Sequence, residues 1–253
     1  MRTDIDFSVT FDGHDARHRS GRVHFTARTR GCAVFAHFLG GSTPAVSMIA
    51  RQLGRAGIST LSLNLAAVDE GHPPWDVEDL VAAAGFAVRS VGPVRLLVGH
   101  GIAGAALLAA SSAIEGVEGI ATIGAPYGAR YTRALLSASH RGVGRFLGSL
   151  DGPPFPVSER FIEDLAAQEE LGTLGSACGS LLVIHGASDE VVPPSEALRI
   201  ARAARGRRLV DLVRGDHRLL VDPRSAEQVA RILEAWAVAL VCRPVAARGA
   251  LCA

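Results

Sequence analysis

Apolar positions recur along this chain with two periods. The stretches FSVTF (7–11) and RVHFT (22–26) alternate apolar and polar residues, which predicts two short strands joined by a polar turn. CAVFAHF (32–38) is apolar at almost every position, as expected of a parallel strand buried on both faces. ISTLSLNL (58–65), VRLLVG (94–99), GIATIGAP (119–126), LLVIHG (181–186) and RRLVDLV (207–213) read as further strands. Between them the spacing becomes helical. A helix is predicted over about 44–56, stopped by Gly57. Another runs from an Asp76 cap to about Arg89, with Val77, Leu80, Val81, Ala84 and Val88 on one face. IAGAALLAASSAI (102–114) and residues 223–241 complete the helices. Strand–helix alternation at this spacing predicts an α/β fold, a mostly parallel eight-stranded sheet with helices on both faces. Ligands in such sheets bind at the carboxyl ends of the strands.

Residues 127–175 interrupt the rhythm. They contain a helical stretch, SERFIEDLAAQEEL (158–171), and before it Gly142, Gly144 and Gly148. An insertion this long between two strands is expected to be a lid or gate. The tail at 242–253 has no periodicity and is expected to be mobile. The organisation expected is one domain over 1–241, a lid at about 127–175, and the tail.

Composition narrows this picture mainly by exclusion. The 253 residues are 48% hydrophobic, enough to form a sizeable core. A net charge of +1 gives no global electrostatic case for nucleic acid or membrane partners. All 26 basic residues are arginine, which with abundant Ala and Gly suggests a GC-rich, bacterial genome. No apolar leader follows Met1 and no apolar run nears about 18 residues, so a cytoplasmic protein without a membrane span is expected. The four cysteines lack paired or zinc-like spacing and the histidines are scattered, so no metal is expected. No phosphate loop ending in Gly-Lys exists, and no cofactor is expected.

Four pieces fall at strand ends. Gly99-His100-Gly101-Ile102-Ala103 has the outline of a G-x-S-x-G nucleophile elbow, with glycine at its centre. H-G-A-S-D-E-V-V-P-P (185–194) carries Asp189 just past a strand. R-G-D-H-R-L-L (214–220) carries His217 just past the last strand. A-H-F-L-G-G (36–41) is a loop able to supply a backbone donor. Elbow, then Asp, then His is the order of the α/β-hydrolases.

On these motifs the chain resembles the α/β-hydrolase superfamily over about residues 5–241. More narrowly it is similar to the hydrolase domains fused to OsmC-like domains, through F-A-H-F, A-T-I-G-A-P, F-I-E-D-L-A-A-Q-E and H-G-A-S-D-E-V-V; no OsmC-like portion is present. The resemblance implies that Asp189 is the acid orienting the imidazole and His217 the general base. It also implies that the backbone N–H groups of Ile102 and Phe38 form an oxyanion hole, and that Gly101 stands at a vacated nucleophile position. A second departure follows the strand ending at Asn64, where L-A-A-V-D-E-G-H-P-P replaces the family's Gly-rich loop.

Glycine cannot attack a carbonyl, so no acyl-enzyme forms at 101. The favoured expectation is acyl transfer from an ester or thioester donor directly to a bound acceptor. The small-molecule acyl group is expected to arrive free or on an acidic acyl carrier protein, as in natural-product assembly of the kind α/β-hydrolase-like proteins serve in thiopeptide pathways. Hydrolysis by an activated water, a non-catalytic pseudo-hydrolase and a serine replaced by design are the alternatives. Arg130, Arg133, Arg141 and Arg145 lie in a 127–150 stretch free of Asp and Glu, a candidate patch for an acidic partner, with Tyr127 and Tyr131 as candidate entrance residues. His37 is a candidate contact that more simply hydrogen-bonds its own loop. His100 and His185 read as packing and structural residues, and Asp216 as a solvated turn residue. Ser42 and Cys178 are remote substitutes for the nucleophile, and Cys32 is expected at the far end of its strand.

Overall fold

The computed structural model describes residues 4–39, 44–66, 74–140, 158–171 and 179–241. Gly40, Gly41, Ser42, Arg141, Gly142, Gly144, Arg145, Gly148, Cys178 and the 242–253 tail lie outside the described residues, as does most of the 65–74 loop.

Eight strands form one sheet: β1 (Ile5–Asp12), β2 (His18–Phe25), β3 (Cys32–His37), β4 (Ser59–Asn64), β5 (Val94–His100), β6 (Gly119–Ile123), β7 (Ser180–Gly186) and β8 (Arg207–Val213). Their order is β1-β2-β4-β3-β5-β6-β7-β8. β1 and β2 pair antiparallel, as do β2 and β4, and all later neighbours run parallel. The central strands β3, β5, β6 and β7 are buried at every position, which is why they read as continuous apolar runs.

Helices cover both faces. On one face pack α2 (Val77–Ser90), α3 (Ile102–Ala110), α5 (Glu159–Leu171) and α6 (Pro194–Ala203), around Leu80, Leu107, Phe161 and Ile200. On the other lie α1 (Pro44–Arg55) and α7 (Pro223–Val241), through Ile49, Leu53, Val229 and Trp236. Asp76 caps α2 in a reciprocal box: the Asp79 N–H donates to Asp76 Oδ1 (2.9 Å), and the Asp76 N–H donates to Asp79 Oδ2 (3.2 Å). No helix among the described residues is long and apolar enough to cross a membrane.

Several expected boundaries shift. The helix expected over 102–114 ends at Ala110 and tightens into a 3₁₀ turn over 111–113, where the Ser111 hydroxyl donates to the Leu108 carbonyl (2.7 Å). The strand expected over 119–126 stops at Ile123, because Gly124 turns the chain with φ of 56°. Two helices escaped the sequence reading. One is α4 (Gly128–His140), inside the insertion; the other is α6, which starts after Pro193 without a side-chain cap.

Candidate active site

Three sheet exits converge on one edge. β5 leads into Gly101, which precedes α3 with φ of 59° and ψ of −135°. The turn is tight enough that a Cβ on Gly99 would collide with the Gly104 backbone. At Gly101 the situation reverses. Beyond its two chain neighbours, no described heavy atom lies within 4 Å of where a Cβ would sit. The Gly101 N–H donates to the Ile123 carbonyl (2.9 Å), tying the turn to β6.

Asp189 follows β7 and His217 follows β8. The Asp189 carboxylate is buried and fully used. Its Oδ1 accepts the N–H groups of Val191 (3.0 Å) and Val192 (2.8 Å), and its Oδ2 faces His217 Nδ1 at 3.0 Å. A carboxylate oxygen only accepts, so the Nδ1 of His217 carries a hydrogen, and in the neutral ring Nε2 keeps its lone pair. The His217 side chain is 15% exposed. Asp216 is exposed and its Oδ1 accepts the Arg218 N–H (2.8 Å), within its own turn. His185, wholly buried, donates from Nε2 to the Val192 carbonyl (2.7 Å) and so backs the same loop.

Ile102 opens α3, where first-turn N–H groups lack intrahelical acceptors and the helix dipole favours negative charge. Ala36 pairs with Gly99, so Phe38 leaves β3 beside the elbow. His37 is buried and its Nδ1 accepts the Leu39 N–H (3.2 Å), the loop-holding arrangement. Cys32 is buried at the opposite end of β3, and burial pushes its thiol up to about 12, leaving no thiolate.

Burial pushes His37 down to about 4; burial, followed by the charges of His217 and His37, pushes His100 down to about 3. Both are neutral at pH 7 in the folded chain, whereas the unfolded chain protonates each near 6.5. Their contribution to stability is intact above pH 6.5. It is lost as pH falls from 6.5 toward about 4 and 3, at about 1.4 kcal/mol per pH unit for each histidine. Urea unfolding between pH 7 and 5 checks this: the wild-type midpoint is expected to fall more steeply than that of His100→Gln, and equal slopes would contradict it.

The insertion is anchored to the Asp189 loop. Glu196 on α6 is buried; its Oε2 accepts the Tyr127 N–H (2.9 Å), and its Oε1 accepts from Arg199 (3.1 Å), whose guanidinium lies 5.0 Å from the Tyr127 ring centre. The Tyr131 hydroxyl donates to the Val191 carbonyl (2.8 Å). The sequence reading missed Glu196; its only signal was an acidic residue in the first turn after Pro-Pro. Arg130 is exposed on α4. Arg133 pairs with Glu159 on α5 (2.7 Å), so folding neutralises part of a stretch that contains no acid of its own.

One H-x-x-x-H spacing does occur, His14 to His18, but it spans the β1–β2 turn rather than a helix. His14 with Asp76 and Glu78, and His14 with Asp15 and Asp79, are two groups able to hold a metal ion, although Arg160 already engages Glu78 and Arg19 engages Asp79. His18 pairs with Asp12.

The sheet order and its helices define an α/β-hydrolase fold. An esterase domain from a Rhodothermus marinus protein is similar over 94% of this chain and 99% of its own, at 28% identity and a TM-score of 0.75. Est1E from Butyrivibrio proteoclasticus (13% identity, 93% and 99% covered, TM-score 0.66) shares the fold. So does XC6422 from Xanthomonas campestris, an α/β serine hydrolase without a lid (22% identity, 91% and 94% covered, TM-score 0.57). No family model matches the sequence, and no curated protein is significantly similar to it. The chain thus shares its fold with esterases of the α/β-hydrolase superfamily.

Proposed function

We propose that this chain transfers an acyl group from an ester or thioester directly to a bound acceptor, at an elbow that supplies no nucleophile of its own. One observation carries the reading: no described atom beyond its chain neighbours lies within 4 Å of where a Gly101 side chain would start, and the hydrogen-bonded Asp189–His217 pair is close enough for the His217 charge to act on the adjacent His100.

The acceptor hydroxyl, thiol or amine occupies the space over Gly101. His217 Nε2 takes its proton as it attacks the acyl carbonyl. The oxyanion rests on the N–H groups of Ile102 and Phe38. When the tetrahedral intermediate collapses, the carbon–oxygen or carbon–sulfur bond of the donor breaks, and the departing alcohol or thiol takes the proton back from His217. Asp189 stabilises the transient imidazolium. His37 and His100 stay neutral and act as packing. An acidic acyl carrier protein is the partner that suits the arginine-bearing stretch, in which Arg130 is exposed and Arg133 pairs with Glu159.

The likeness to an esterase domain favours a second reading, in which water takes the acceptor's place. Titrating thiol and alcohol acceptors against a panel of acyl esters and thioesters separates the two. Acyl transfer requires product formation that rises with acceptor and saturates. A rate indifferent to every acceptor, with release of free acid, overturns transfer in favour of hydrolysis.

A further inference from the structure

Among the described residues β8 ends the sheet, with β7 on one side and no strand on the other. Edge strands of soluble proteins are usually guarded by inward charge, proline, bulges or a covering element, because their unpaired backbone groups recruit other strands. β8 has no proline and mixes charged Arg207, Arg208 and Asp211 with exposed apolar residues. Leu209, Val210 and Leu212 are 43%, 38% and 49% exposed. Each of them is directly paired across the sheet with a buried residue of β7, namely Leu182, Val183 and His185. The edge therefore stops at a strand that exposes apolar side chains on both faces, between charged ones.

We propose that β8 pairs antiparallel with β8 of a second copy of this chain, about a two-fold axis, joining the two sheets into one. The register follows from symmetry. A two-fold axis normal to a sheet leaves each face on its own side, so residues that meet across it have the same parity. Only registers with a self-paired central residue satisfy this. Centring on Arg208 or Asp211 would put like charges together. Centring on Val210 sets Asp211 against Leu209. Centring on Leu209 sets Arg207 of one chain against Asp211 of the other, twice, with Leu209 meeting its own copy between them. Those three side chains share the face that α7 covers, since their β7 partners Ser180, Leu182 and Ile184 include two core residues of that layer. Arg208, on the opposite face, is already committed: its guanidinium donates to the Ala201 (3.1 Å) and Ala204 (2.8 Å) carbonyls, closing the end of α6. Among the described residues neither Arg207 nor Asp211 has an ion-pair partner. The row Arg207, Leu209, Asp211 is thus complementary to itself read backwards, which singles out another copy of this chain as the occupant.

Sedimentation velocity over a wide concentration range tests the pairing. Wild type is expected at twice the 26.4 kDa chain mass. Arg207→Asp, which faces two aspartates with two more, is expected to weaken dimerisation about ten-fold or more. The charge swap Arg207→Asp with Asp211→Arg is expected to restore it, which also shows that the single variant still folds. A monomeric wild type at every concentration, a dimer that tolerates the single reversal, or a folded double variant that stays monomeric would each overturn it.

Discussion

Asp189→Asn is expected to lower turnover by about 10⁴-fold while the fold survives. The reason lies in how the carboxylate is shared. Its Oδ1 accepts two backbone N–H groups, from Val191 and Val192, so that position must remain an oxygen. The asparagine nitrogen is then forced to the Oδ2 position, against His217 Nδ1. An amide nitrogen donates, so Nδ1 must accept and the ring proton moves to Nε2. The base is lost although every heavy atom stays near its place. Asp189→Ala separates the two roles: it also orphans the Val191 and Val192 N–H groups, at about 1–3 kcal/mol each. Steady-state turnover with thermal melting of both variants is the check. Equal melting of wild type and Asp189→Asn with unchanged turnover would remove Asp189 from the chemistry.

Gly101→Ser is expected to trap an acyl group at position 101. The added Cβ meets no described atom within 4 Å beyond its chain neighbours, and His217 would serve the new hydroxyl as base. The same change strains the backbone, since φ of 59° with ψ of −135° suits glycine; such conformations cost about 1–3 kcal/mol for other residues. The variant should therefore melt a few degrees lower yet gain the mass of the acyl group on incubation with an ester. That trade also gives glycine a physical rationale: once the attacking group arrives with the substrate, a strained serine adds nothing. Intact-mass spectrometry reads the outcome. A variant that folds, binds substrate and never acylates would argue that the site no longer aligns a carbonyl.

Short-range and strand-end features were legible in the sequence. The Asp76 cap lies three residues from its partner Asp79, and the strand ends carrying Gly101, Asp189 and His217 were placed by apolar runs alone. Features that join distant elements were not. Glu196 reaches Tyr127 across 69 residues, and Glu159 neutralises Arg133 from a different helix. RRLVDLV reads as one more strand of the series, and nothing in its own residues says that it stands at the sheet edge. Local pattern fixes what a strand is made of; its neighbours depend on the order in which the chain crosses the sheet. The helix α6 was overlooked for a related reason, since its N-terminus relies on proline geometry rather than a capping side chain.

The central claim is that His217 activates a nucleophile that the chain itself does not provide. It is tested most directly by the turnover of acyl thioesters with saturating acceptor, in wild type and in His217→Ala. The account predicts acceptor-dependent transfer that falls by about 10²–10⁴-fold in the variant. Transfer at equal rates in the two proteins would contradict it.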